Sequence, residues 1–386
     1  MRAAVLLTAL TLSAHAQWTL QQSNTTADLR GIDNVGHGIA WASGSNGTVL
    51  HTTDDGTTWL RCPTPPNAEA LDFRGIQAFD AQTAIVMSSG KGDLSRLYKT
   101  TDGCQTWKLI FTNPDPDGFW DALQAHIAGS FDKQKCQSVN SAISGAIFGD
   151  PTVHRSNQWD TTTHPSFYLA TFTINSSCVP DELTPSATVL FSGPGEAAFA
   201  ASNSLLIYNL GDGMFSFITG GSRSEMIHEE HGLDQKKGLF SDWSRSPLPF
   251  PSGSSSGAFS VAARPYIKTE SGARHAVIVG GDYLKPDDSA QTAAYSSDWG
   301  NTWQSAQTPP HGYRSAVAYD EATKTWITVG PNGTDVSTDD GKNWKAVHPD
   351  ASLHEAADAD RNWNALSLPY VVGPKGRIGK LDRSSF

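Results

Sequence analysis

Apolar and polar residues alternate over short runs along this 386-residue chain, and glycine, asparagine and proline punctuate the runs. In Gly38-Ile39-Ala40-Trp41-Ala42-Ser43-Gly44-Ser45-Asn46-Gly47-Thr48-Val49-Leu50-His51, an apolar stretch, a Gly/Asn turn and a second alternating stretch predict two strands of a meander. Similar text stands at 326–333 and 370–378, with fainter versions at 146–150, 198–203 and 276–282. Seven such units are counted along the chain. The 35 glycines and 21 prolines favour turns and short strands over the long helices of bundles and coiled coils.

An octapeptide recurs in four units. Thr52-Thr53-Asp54-Asp55-Gly56-Thr57-Thr58-Trp59 returns as Thr100-Thr101-Asp102-Gly103-Cys104-Gln105-Thr106-Trp107, as Ser296-Ser297-Asp298-Trp299-Gly300-Asn301-Thr302-Trp303 and as Ser337-Thr338-Asp339-Asp340-Gly341-Lys342-Asn343-Trp344. Each part suits a hairpin turn: the Asp accepts turn amides, the Gly permits positive φ, and the Trp opens the next strand by filling the core. The residues are therefore read as structural. Two copies depart from the pattern, with Cys104 at the turn glycine and Asn343 at the threonine.

The tryptophans are spaced at blade length, 41 residues from Trp18 to Trp59, 48 from Trp59 to Trp107 and 41 from Trp303 to Trp344. The last unit runs out of chain before a fourth strand, and Gln17-Trp18-Thr19-Leu20 has that strand's composition. Pairing the two ends would close a ring and hide its open edges. The expected fold is all-β, a seven-bladed β-propeller of four-stranded antiparallel blades occupying 17–386 as one domain. Two longer pieces interrupt it, an insertion between Asp121 and Ser144 and a Pro/Ser/Gly run at 246–257 read as a surface connection.

The octapeptides resemble the Asp-boxes, or BNR repeats, of propellers found in sialidases, xyloglucanases, sortilin-type receptors and photosystem II assembly factors. Most of the chain resembles photosystem II stability/assembly factor-like propellers. The carriers are the stretch from Trp41 to Gly56, the opening Leu29-Arg30-Gly31-Ile32 and the ending Gly373-Pro374-Lys375-Gly376-Arg377-Ile378. The resemblance implies a non-enzymatic scaffold that binds protein partners partly through an arginine-rich face. The expanded middle units depart from that family's compact pattern, so a photosynthetic role does not carry over.

Residues 1–16 combine one cation, Arg2, an apolar run from Ala3 to Leu12 and the small-x-small triplet Ala14-His15-Ala16, the pattern of a cleaved secretory signal. A secreted or periplasmic chain is expected, without a membrane span, because no apolar stretch reaches about 20 residues. Export makes Cys62, Cys104, Cys136 and Cys178 candidates for two disulfides. Three connectivities are open, and the repeat register favours Cys62–Cys104 with Cys136–Cys178 because each pair joins the same or neighbouring units. The net charge of −11 disfavours nucleic acid. No cofactor is expected, since neither a dinucleotide fingerprint in a strand-to-helix context nor a C-x-x-C pair occurs. His228-Glu229-Glu230-His231 lacks H-E-x-x-H spacing and reads as a solvated loop rather than a metal site. A monomer is expected.

Function is sought at the channel mouth, where first strands of blades present equivalent positions. Leu29-Arg30-Gly31-Ile32, Phe73-Arg74-Gly75-Ile76, Trp120-Asp121-Ala122-Leu123, Phe259-Ser260-Val261-Ala262, Tyr313-Arg314-Ser315-Ala316 and Trp363-Asn364-Ala365-Leu366 each place a polar residue after a large apolar one, and the fourth unit has no clear equivalent. Arg30, Arg74 and Arg314, with Asp121 and Asn364, are candidate ligand residues. An arginine fork suits a carboxylate or phosphate, and pairing with acids of neighbouring blades is the alternative. The expected ligand is a protein or an anionic or carbohydrate group. Glycoside hydrolysis or lysis is the competing class. It needs two facing carboxylates, for which Asp121, Asp150 and Asp282 are the candidates, Asp150 and Asp282 being equally placed to cap turns. The R-I-P motif of sialidases is absent. Asn24, Asn46, Asn175 and Asn332 head glycosylation sequons.

Overall fold

The run around Trp41 becomes strands Ile39–Gly44 and Thr48–Thr52, joined where Asn46 and Gly47 both take positive φ, 56° and 61°. The structure, a computed structural model, describes residues 17–128, 142–153, 165–175, 183, 185–208, 214–234, 238–264, 274–349 and 355–383. The expected signal segment, Cys136 and Cys178 lie outside these residues.

Strands of this kind build seven antiparallel sheets. The first strands of blades 1 to 7 are Leu29–Gly36, Phe73–Ala78, Trp120–Ala128, Leu206–Tyr208, Ser256–Ala263, Ala316–Asp320 and Ala365–Ser367. Each touches the next in order, and the seventh touches the first, so the sheets form a seven-bladed propeller around a central channel. Blade 7 is completed by the N-terminal strand Gln17–Gln21, which pairs with Ile378–Asp382 from Gln17 opposite Asp382 to Gln21 opposite Ile378. Blade 5 carries two further strands at its inner edge, Glu196–Ala197 and Gly220–Gly221.

The core lies between blades. Trp41, Phe73 and Trp107 fill the space between blades 1 and 2, while Trp18, Ile327 and Trp363 fill that between blades 6 and 7. Phe148, Phe167 and Phe217 join blades 3 and 4. Leu248 and Phe250 are buried in the same cluster, so the Pro/Ser/Gly run is not a mere surface connection: its apolar residues contribute to the core. Residues 198–203, read above as a strand and turn, are irregular backbone, and blade 4 begins only at Leu206.

All four octapeptides form one turn. The hydroxyls of Thr52, Thr100, Ser296 and Ser337 accept the N–H of Gly56, Cys104, Gly300 and Gly341 at 2.9–3.1 Å. Asp54, Asp102, Asp298 and Asp339 each accept the N–H of the residue four places on at 2.9 Å. The Cys104 departure is resolved by its backbone, which takes the glycine conformation at φ 64°, and by its sulfur, which is bonded to Cys62. This disulfide ties the end of blade 1 to the turn of blade 2. Asn343 replaces the threonine hydroxyl with an amide that donates to Asp339 at 2.8 Å.

Candidate functional site

Each first strand of blades 1, 2 and 3 carries a one-residue bulge at its start, at Arg30, Arg74 and Asp121. A bulge re-aims the extra side chain out of the ladder, here at one end of the channel. The register places three more residues at that level. Blade 5 bulges at Phe259, between Ala258 opposite Gly280 and Ser260 opposite Val279. In blade 6 Ala316 pairs with Val329, and in blade 7 Ala365 pairs with Val372, which puts Ser315 and Asn364 there. The ring therefore reads Arg30, Arg74, Asp121, then Phe259, Ser315 and Asn364 in blades 5 to 7.

Two expectations are corrected by this register. Ser260 is not at the ring position and instead accepts the Val317 N–H at 3.0 Å within the blade interface. Arg314 sits one residue earlier, in the layer of Leu29, Phe73 and Trp120, and is 0% exposed. Its Nε donates to Asp335 at 2.8 Å, and its Nη1 donates to the Tyr313 carbonyl at 2.7 Å and to Asn332 at 2.5 Å. His311 Nδ1 lies 2.8 Å from the same Asp335. Burial lowers the guanidinium from its usual range against the pull of Asp335. Burial also raises Asp335, yet hydrogen bonding from His311 and the Arg314 charge hold it below the usual carboxylate range. Arg314 has the structural pairing role and is closed to a ligand.

Arg30 and Arg74 share one carboxylate. Asp72 lies 2.9 Å from Arg74 Nε and 3.5 Å from Arg30 Nε. Arg74 also donates to the Ala200 carbonyl at 3.2 Å and stands 5.8 Å from the Phe119 ring centre. Arg30 makes no hydrogen bond among the described residues, its one partner being the ion pair with Asp72. Neither of its terminal nitrogens has a hydrogen-bond partner among the described residues.

A segment ahead of blade 4 crosses this end of the channel. The Ala198 N–H donates to Asp150 at 3.0 Å, Arg74 holds the Ala200 carbonyl, and the Asn203 side chain accepts the Leu123 N–H at 2.7 Å. Ser204 Oγ lies 2.7 Å from Ser260 Oγ, and the Phe199 ring stacks on Phe259 with centroids 4.3 Å apart. The stretch thus touches blades 2, 3 and 5 and meets Asp121 and Asp150, two of the three candidate carboxylates. Asp121 is 1% exposed. Burial and the neighbouring Asp150 push it well above the usual range, opposed by Arg74 and by the backbone N–H groups of Asp150 and Ala200. Its Oδ2 has no hydrogen-bond partner. Burial raises Asp150 too, against the Ala198 bond. Asp282 stands apart: it accepts Ser255 Oγ at 2.7 Å and the Leu284 N–H at 3.0 Å, which hold it low and give it the turn-capping role. Asn364 Nδ2 donates to the Leu29 carbonyl at 2.8 Å and fastens blade 7 to blade 1.

Several contributors escaped the sequence reading. Asp72 precedes Phe73 as Asp28 precedes Leu29, so the repeated Asp ahead of Leu29-Arg30-Gly31-Ile32 and Phe73-Arg74-Gly75-Ile76 is a signal that could have found it. Phe259 is apolar, and the pattern of a polar residue after a large apolar one points to Ser260 in its place. Asp33, three residues beyond Arg30 and half-buried, accepts the Ala78 N–H at 2.7 Å, and burial pushes it up to about 7 against that bond. Its register with Gln77, which accepts the Ala125 N–H at 3.0 Å, is a repeat signal that would have found it. Among the described residues no group of three metal-ligating side chains gathers. His228 lies in the strand Glu225–Asp234 rather than in a loop, and its Nδ1 is 2.6 Å from Ser216 Oγ on the paired middle strand of blade 4.

No protein-family model and no curated protein matches the chain. Among solved structures, YCF48 bound to a D1 peptide superposes with a TM-score of 0.56 over 96% of this chain and 99% of that one, at 15% identity. YCF48 from Cyanidioschyzon merolae gives 0.49 over 95% and 99% at 13%, and the WD40 propeller domain of Doa1 gives 0.49 over 95% and 97% at 8%. What the first of these shares with this chain at such identity is the propeller fold.

Proposed function

We propose that this chain is a binding propeller without catalytic function, which takes an anionic segment of a protein partner at the Arg30–Arg74 end of its channel. The carrying observation is Arg30, set at the channel end by a bulge, whose side chain makes no hydrogen bond among the described residues. Such a fork pairs with a carboxylate through two parallel bonds, stronger than neutral ones. The solved YCF48 complex with a D1 peptide supports a peptide as the class of ligand, since the fold is shared. The octapeptide turns are read as Asp-boxes, and the 1–16 segment as a signal for a secreted or periplasmic protein. A Cys62–Cys104 bond agrees with an oxidising compartment.

The test is capture of a synthetic peptide with a free C-terminal carboxylate, followed by fluorescence anisotropy at low and high salt. Arg30→Ala should weaken capture at least about tenfold without changing the melting temperature, because Asp72 keeps Arg74. Unchanged capture in this variant rejects the reading. Glycan cleavage has one observation in its favour, the buried Asp121, pushed well above the usual carboxylate range by burial and by the adjacent Asp150, as general acids are. New reducing ends or unsaturated products from a panel of acidic and neutral polysaccharides would establish it.

A further inference from the structure

The ring of bulge positions is divided in chemistry: blades 1 and 2 present arginine, and blade 5 presents Phe259 in the equivalent place. Phe259 is the floor of an aromatic group. Phe199 stacks on it at 4.3 Å, Tyr313 meets it edge-on at 4.8 Å, and Tyr283 stands edge-on to Phe199 and Phe259 at 6.3 and 6.2 Å. Beside it, Tyr283 is 45% and Leu284 70% exposed, the one adjacent pair of exposed large apolar side chains among the described residues. Solvent exposure of two such neighbours costs free energy that burial under a partner would recover.

The pair is held in place rather than left on a loose loop. Asp282 accepts the Leu284 N–H and the Ser255 hydroxyl, the Tyr283 N–H donates to the Ser255 carbonyl at 3.2 Å, and the Tyr313 N–H donates to the Pro286 carbonyl at 3.0 Å. A braced turn binds with little ordering cost. The group also adjoins the cationic side, since Phe199 precedes Ala200, whose carbonyl Arg74 holds.

We propose that Tyr283 and Leu284, with Phe199, form an apolar subsite for a bulky aromatic or aliphatic side chain of the same polypeptide whose carboxylate is held at Arg30. This rests on the peptide-binding reading and adds the second half of the recognised motif: an acidic group followed or preceded at short range by a large apolar residue. The occupant is a polypeptide because it must present a charge and an apolar side chain on one chain, at opposite sides of one channel mouth.

The experiment uses the full chain and a set of ten-residue synthetic peptides with free C-terminal carboxylates. In each, a single Phe is walked through an otherwise Ala/Ser/Gly sequence, and an all-small peptide is the reference. One Phe register should bind at least about tenfold tighter than the reference. The Tyr283→Ser/Leu284→Ser protein should bind that peptide no tighter than the reference while keeping reference binding unchanged. Arg30→Ala should weaken both peptides by the same factor. If no register gains over the reference, or the double variant keeps the gain, the subsite is refuted while arginine-dependent binding stands. If Arg30→Ala changes neither affinity, the peptide-binding reading fails, and the subsite with it. Both variants are surface changes, so circular dichroism and melting temperature should match the parent, and peptide loss accompanied by unfolding counts against the proposal.

Discussion

At Asp33 the folded chain holds a carboxyl whose pKa is raised to about 7, largely by burial. A raised carboxyl binds its proton more tightly folded than unfolded. Its contribution is therefore fully present below the unfolded value near 4 and is lost as pH rises to about 7. Asp33→Asn keeps an oxygen for the Ala78 N–H and removes the ionisation. It should leave stability at pH 4 nearly unchanged and raise it at pH 8 by about 1 kcal/mol, the full shift being discounted because part of the group meets water. Urea unfolding at the two pH values checks this, and equal effects at both would reject it. Arg314 makes the opposite case. Replacing it by Ala strands Asp335, 1% exposed, and should cost about 3–5 kcal/mol. Arg30→Ala, one register position further along the first strand of its own blade, should be nearly neutral. The contrast, read by chemical denaturation, separates an arginine that holds the ring together from one that does not and is proposed to meet a ligand.

That contrast rests on register, which belongs to the scale of the strand and turn. Arg314 follows a large aromatic residue just as Arg30 follows Leu29, so one text placed them together. The bulge separates them by one residue and sends one outward and the other into the core. Local chemistry was legible where it is self-contained: the octapeptide turns close within eight residues, and their hydrogen bonds need no distant partner. The 198–204 crossing was not, because its bonds go to Asp150, Arg74 and Leu123, which nothing nearby in the chain announces. Cys104 joins both kinds of information, an αL turn residue and half of a cross-link that spans 42 residues. Closing a loop of that length contributes about 4 kcal/mol in the chain-entropy description. Cys62→Ser/Cys104→Ser should lose that much. Cys62→Ser/Cys104→Gly should lose about 1 kcal/mol less, because glycine occupies φ 64° without the Cβ penalty. Equal losses in the two doubles, by thermal melting under matched conditions, would show that the turn imposes no strain.

Across the whole molecule, stability depends on the ends meeting. Strand Gln17–Gln21 supplies the outer edge of blade 7 and inserts Trp18, 1% exposed, beside Trp363 at 6.1 Å, with its indole N–H donating to Thr334 of blade 6 at 3.1 Å. Each blade buries its apolar faces against two neighbours, so an unclosed blade 7 exposes the clusters on both of its sides. Trp18→Ala should cost about 3–5 kcal/mol through the cavity and the lost bond. Removing 17–21 should cost more than the substitution, since the backbone pairing with Ile378–Asp382 goes as well. A loss of that size consumes most of the roughly 5–15 kcal/mol that holds a typical domain folded. The closure argument is distinguished from simple packing by a permuted chain. Because Gln17 lies opposite Asp382, a short turn can join them, and the chain can be reopened at the exposed Gln82 turn within blade 2. The permuted protein should melt in one transition at or above the parent temperature, while the truncated one should melt well below it with exposed apolar surface that binds a hydrophobic dye. A truncated protein that melts with the parent would mean that six complete blades hold the ring without the seventh being sealed.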